Sequence, residues 1–390
     1  MRSNGIVPLA VAVVLGLAGC SGTSDDGTSR GDGAKASAER QGDSAQQPSP
    51  QDSHGTVATA APTPPKPDEA NGNFGSDLTY VVPEFFMALI VHPQRITQAP
   101  VLADLPQDDF LRPLLEAADY DPRKVHRLMF LYTPRVFYAP GLGDRRALVI
   151  RSAVPLYVKG RVEGLWEEVN EVVVAGKPCW ATPLPDGRVL AAHFADDQNT
   201  VLAPTGLMEK VLKPGRKKGL LADRLDGMRL GDVTVVAVLD PIRDELKGML
   251  GFADRDPSVP PPVLQMIRAL DDLSAAVLTV DLRGNTLARI DLYAKDATGA
   301  GRLAVAAEQN VALAKQMFTQ NRQRLSEQMP PKLAGSILGL AEQTLEGISV
   351  RRDAERVTLS VIRPDGLDEA VKTLAPVLVN DPQLPRAEWP

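Results

Sequence analysis

The chain has 390 residues, with 43 lysines and arginines against 49 acidic residues, a net charge of −6 at pH 7. It lacks the concentrated basic face from which nucleic-acid recognition starts, so nucleic acid is excluded as a partner. Four histidines and two cysteines leave little for a metal centre or a disulfide framework.

At the start, Arg2 precedes an apolar run over residues 6–17 that is too short to span a bilayer, which takes about 20 apolar residues. A charged start, an apolar stretch and small residues at its end are the layout of a secretory signal, here residues 1–19. The run closes on Leu17-Ala18-Gly19-Cys20, which resembles the lipobox of bacterial lipoproteins. The resemblance implies cleavage before Cys20, acylation of its thiol and new amino group, and attachment to the membrane through that lipid. Several acyl chains give lasting attachment, because each buried CH₂ contributes about 0.8 kcal/mol. It also implies a cell-envelope, extracytoplasmic location, and Ser21 in place of Asp favours the outer membrane in a host with two membranes.

Next comes a stretch that can bury almost nothing. Between residues 21 and 77 the only members of the V, I, L, M, F, W and Y set are Val57 and Phe74. Ser, Gly, Ala, Gln, Thr and Pro dominate, so burial cannot offset ordering entropy and a disordered linker is expected over 20–77. A coil of that length spans about 40 Å.

The body begins at residue 78, and its expected elements follow one another in short runs. MALIVHP (87–93) reads as a strand stopped by proline, and FLRPLLEAADY (110–120) as a helix. RLMFLY (127–132) and RALVIRSAV (146–154) read as strands, and VEGLWEEVNEVV (162–173) as a helix. CWATP, RVLAAHF and TVLAP are strands with a turn at Pro185-Asp186-Gly187, and GLMEKVL is a helix.

Residues 232–380 repeat that series. DVTVVAVLDPIRDEL answers MALIVHPQRI, with Asp240-Pro241 and Arg243 where the first copy has His92-Pro93 and Arg95. VLQMIRALDDL, AAVLTVDL and LARIDLYA answer the next helix and two strands, and VLAPTGLMEKV aligns without gaps on VIRPDGLDEAV. Ordered self-similarity of this kind points to one supersecondary unit used twice, over 78–215 and 232–380. The second copy adds a long amphipathic helix over 301–328, with Leu303, Ala307, Val311 and Met317 on one face. The expected fold is α+β: a duplicated unit with a mostly antiparallel sheet covered by helices.

Few residues invite a chemical role. The G-x-S-x-G elbow, phosphate loop, dinucleotide fingerprint, H-E-x-x-H and paired C-x-x-C are all missing. No catalytic, cofactor-binding or metal residue is therefore nominated, no cofactor is expected, and Cys20 is the single modification site. Cys179, in a strand, reads as a buried thiol without a partner. His193 with Asp196 and Asp197 reads as a strand end and a solvated turn. His126 sits between charges, and His92 at a strand end. The basic run around Lys210, Lys213, Arg216, Lys217 and Lys218 contains Pro214 and Gly215, so it reads as a solvated loop, with contact to anionic head groups as the lesser alternative. The pattern of strand, "HP-x-R" or "DP-x-R" turn and "LxVxxPDGL"-like endings resembles uncharacterised extracytoplasmic proteins of planctomycete-type bacteria, and implies no known activity. The expectation is a lipid-anchored envelope protein that binds another envelope component or acts as a scaffold, without catalysis. An envelope hydrolase without a recognisable motif, and a carrier of an apolar ligand or lipoprotein, stay open as alternatives.

Overall fold

β-branched and aliphatic runs bounded by proline or glycine become strands throughout the body. Met87–Val91 (β1) is followed by Pro93 at the first turn of α1 (Pro93–Thr97), where a missing N–H costs nothing. The computed structural model describes residues 75–103, 121–134, 146–154, 169–184, 187–213, 215, 218–250, 261–328 and 331–380. The signal, Cys20, nearly all of the 20–77 linker and the helix expected over 110–120 lie outside the described residues.

After α1 come β2 (Val125–Tyr132), β3 (Arg146–Ser152), β4 (Asn170–Val174), β5 (Lys177–Pro183), β6 (Val189–Phe194) and β7 (Asn199–Pro204). Helices α2 (Thr205–Leu212) and α3 (Leu220–Leu225) lead to β8 (Val233–Val238), α4 (Arg243–Leu250), α5 (Pro261–Ala269), β9 (Leu273–Val280) and β10 (Thr286–Ala294). A helical pair, α6 (Ala297–Gln328) and α7 (Pro331–Glu346), precedes β11 (Ile348–Asp353), β12 (Arg356–Ile362) and α8 (Leu367–Asn380). Among the described residues the strands form one sheet of 12, in the order β11-β12-β10-β9-β8-β1-β2-β3-β7-β6-β5-β4. Every neighbouring pair is antiparallel.

The helix expected over 162–173 is corrected at its C-terminal end, where residues 170–174 are strand β4. Val172, Val173 and Val174 lose side-chain freedom in a helix and fit a pleated edge. They turn into β5 through Ala175 (φ 51) and Gly176 (φ 78), a two-residue hairpin loop of the primed kind.

The sheet is the same unit twice. Outward from the centre, one half runs β1-β2-β3-β7-β6 and the other β8-β9-β10-β12-β11, the first adding the β4–β5 hairpin and the second adding α6 and α7. The central pairing of β1 with β8 is symmetric about Leu89 opposite Val235. From there a single row of side chains equates Phe130 with Leu278, Leu148 with Ile290, Leu202 with Leu359 and Ala192 with Val350. Even the irregularity is shared. His126 in β2 and Ser274 in β9 are each skipped in the pairing with the next strand, one residue from the strand start.

The register also corrects the sequence alignment of the two endings. Pro204 corresponds to Val361, three residues short of Pro364. Gly206 accordingly lies inside α2, whereas Gly366 (φ 77) turns the chain before α8. Likewise Asp240 does not replace His92 in the sheet; it lies in the turn beyond β8, paired with Arg243.

Alternation assigns each half its cover. On the face carrying Ala88 and Ile90, which we call the upper face, Ala147, Val149, Val201 and Ala203 are buried under Met208, Val211 and Leu212 of α2. On the lower face of the other half, Leu292, Val357 and Leu359 are buried with Leu303 of α6. Each of these valines, leucines and Met208 contributes about 2 kcal/mol when fully removed from water, and each alanine about 0.8 kcal/mol.

Candidate functional site

Inward-facing strand positions should be apolar, so a charged residue in that phase marks the place to look. Arg127 shares the phase of Met129 and Leu131 in β2, and Arg151 shares that of Ala147 and Val149 in β3. The register sets the two arginines directly opposite each other. One row crosses the upper face at this end of the sheet: Asp232, His92, Arg127, Arg151 and Asn199. His92 donates its backbone N–H to the Asp232 carbonyl at 2.9 Å, and Arg151 pairs with Asn199.

Two like charges in direct opposition repel, and carboxylates resolve the conflict. Asp77, in the turn Gly75–Tyr80, forms an ion pair with Arg127; both side chains are buried, 1% and 5% exposed. Burial pushes the Asp77 carboxyl up, and Arg127 and Arg151 pull it back. Asp77 is buried although composition places it in the linker over 20–77, so the body starts before residue 78. On the other flank Asp196 accepts the Gln198 and Asn199 N–H groups at 2.8 Å. Burial opposes its ionisation, but those bonds, the Asn199 side chain and Arg151 hold its carboxyl below the ordinary range.

At the seam the row joins the two halves. Arg95 Nε lies 3.0 Å from Oδ1 of the fully buried Asp232, a charge contact without hydrogen-bond alignment. Asp232 Oδ2 accepts the Leu282 N–H at 2.7 Å. Arg283 Nη2 in turn donates to the Arg95 carbonyl at 2.7 Å. His92, 7% exposed, is held neutral with a pKa lowered to about 4. Burial is the first cause, followed by the positive charges of Arg95 and Arg127.

The other residues singled out in the sequence fall into place around this row. His126, the bulge residue, makes a 2.6 Å hydrogen bond through Nδ1 with Gln94 Oε1. His193 is buried rather than part of a solvated strand end, with Nδ1 3.0 Å from the Pro178 carbonyl oxygen. Cys179 is buried and free, and burial pushes its thiol up, away from the reactive thiolate. Lys210 and Lys218 pair with Glu84 and Asp226, each at 3.3 Å. Among the described residues no group of three His, Cys, Asp or Glu side chains is placed to hold a metal.

A separate open cleft of about 580 Å³ is lined by Asn285 and residues 362–369. Its arginine is committed: Arg363 donates to the Leu282 carbonyl and pairs with Asp368. In the sequence His92 and Arg95 stand out only as turn residues, and Asp77, Arg127, Arg151 and Asp232 do not stand out. The phase of Arg127 and Arg151 within their strands was the available signal.

The fold and this row define a duplicated α+β protein whose buried charges clamp its two halves together. No family model matches the chain, and no curated protein matches it. Among solved structures, crystal form I of TP0453 is 10% identical, covering 76% of this chain and 96% of that one, with a TM-score of 0.32. Crystal form III of TP0453 is 9% identical, covering 77% and 97%, with a TM-score of 0.33. Likeness at that level establishes neither fold nor function.

Proposed function

We propose that the chain is a lipid-anchored envelope protein, tethered through Cys20 and a linker over 20–77, whose body is a non-enzymatic binding scaffold. The repeats over 78–215 and 232–380 act as one unit, and the partner is another envelope component. The observation that carries this reading is the commitment of the buried charges. Asp77, Arg127, Arg95 and Asp232 spend their charge on one another across strands and across the seam. A general acid or base needs a group free to exchange a proton with substrate; a rigid clamp between two half-sheets suits a surface that must hold its shape.

Fractionation tests the anchor: Cys20→Ala should leave the membrane after a carbonate wash while the wild type stays. In-cell cross-linking from Val173 and Ile362, both exposed on the body, should then give discrete envelope adducts that persist in His92→Gln. An activity abolished by His92→Gln with folding intact would replace the scaffold reading by an enzymatic one.

A further inference from the structure

The upper face of the second half carries a cationic patch that the clamp does not use. Three in-register rows cross β10, β12 and β11 there: Arg289–Ser360–Ser349, Asp291–Thr358–Arg351 and Tyr293–Arg356–Asp353. The opposite face of these strands is the apolar one under α6, where Arg352 reaches Gly301. On the upper side Arg289 is 43% exposed and Arg356 37% exposed. Arg351 is exposed and has no ion pair among the described residues. Arg224 of α3 adds a fourth guanidinium, 4.0 Å from the Tyr293 ring centroid. Asp291 is held by Arg289 and by Thr358 Oγ1 at 2.6 Å, and Asp353 pairs with Arg356 at 3.2 Å. Among the described residues Arg351 and Arg224 are thus the two guanidiniums of the patch without an ion pair, and they leave it positive on a protein that is negative as a whole.

The patch lies on the same face of the sheet as the buried Asp77–Arg127 pair. A guanidinium pairs with phosphate oxygens through two parallel hydrogen bonds and is weakly hydrated, which suits it to a phosphate-bearing surface.

We propose that the upper face of β10, β12 and β11 is where the body lies on an anionic bilayer, with Arg289, Arg351, Arg356 and Arg224 against lipid phosphates. The inference rests on the lipid-anchor reading for its biological setting, but its test does not need the lipid. The full chain bearing Cys20→Ser is mixed with vesicles of phosphatidylcholine alone or with phosphatidylglycerol added. Neutral vesicles account for any contribution of the apolar leader. The expected result is salt-sensitive co-sedimentation with the anionic vesicles only. Because each arginine near an anionic surface contributes about fivefold in affinity, Arg351→Gln/Arg356→Gln should bind about 25-fold more weakly. Arg324→Gln, on the exposed side of α6, should bind as the parent does. Unchanged thermal transitions in both variants establish that folding is intact. Equal binding to neutral vesicles, equal loss with Arg324→Gln, or no loss with Arg351→Gln/Arg356→Gln would overturn the proposal. So would competition by inorganic phosphate beyond its ionic strength, since that would identify a free-anion site. Retention of Cys20→Ala in washed membranes would instead count against the anchor alone.

Discussion

Arg127 and Arg151 face each other on adjacent strands, and Asp77, fifty residues before Arg127, closes on that pair from above the sheet. Both partners of this pair are buried, so removing Asp77 takes an ion-pair partner from a buried cation.

Asp77→Ala should therefore destabilise the protein by about 3–5 kcal/mol, the range for removing one partner of a buried pair. Replacing both, as Asp77→Leu/Arg127→Met, should recover most of the loss, since no unpaired charge remains. Urea midpoints of the three proteins decide it. A single-variant cost below about 1 kcal/mol would mean that water reaches Arg127.

Acid should loosen the seam. His92 has a folded pKa of about 4 against 6.5 for the free side chain. The unfolded chain therefore takes up a proton between those values and the folded chain does not. Stability from this group is whole above pH 6.5 and falls by about 3 kcal/mol as the pH drops to 4. Asp77, whose pKa is raised, works in the opposite direction, because the fold accepts its proton more readily. The difference between wild type and His92→Gln across denaturant titrations from pH 7.5 to 4 isolates the histidine, and parallel curves would disprove its role.

Gly231 is needed for close approach where the halves meet. A Cβ there would lie 2.4 Å from the Val280 carbonyl oxygen and 2.6 Å from Thr279 Cγ2. Gly231→Ala should cost about 1–3 kcal/mol through displacement of β9, measurable as a lowered melting temperature.

Ala175 carries a positive φ of 51 in the β4–β5 turn. Ala175→Asn should stabilise by about 0.5–1 kcal/mol, because Asn-Gly suits this turn and alanine does not. A neutral or negative change would show that the hairpin is not strained there.

Local chemistry made much of the architecture legible. Period-two alternation marks β1, β2, β3 and β8 to β10, proline and glycine mark their ends, and the order of these pieces shows that a unit is used twice. The resemblance of Leu17-Ala18-Gly19-Cys20 to a lipobox is equally local. Only tertiary structure decided that β7 returns to pair with β3, that Pro204 and Pro364 are not equivalent, and that Val172–Val174 form a strand. It alone also brought Asp232, His92, Arg127, Arg151 and Asn199 into one row, with Asp77 closing on it from above. Alternation records which side of its own strand a residue faces, but not which strand lies alongside. Pairing across fifty or more residues depends on sheet order and register, and a shift of one residue sends every side chain to the other face.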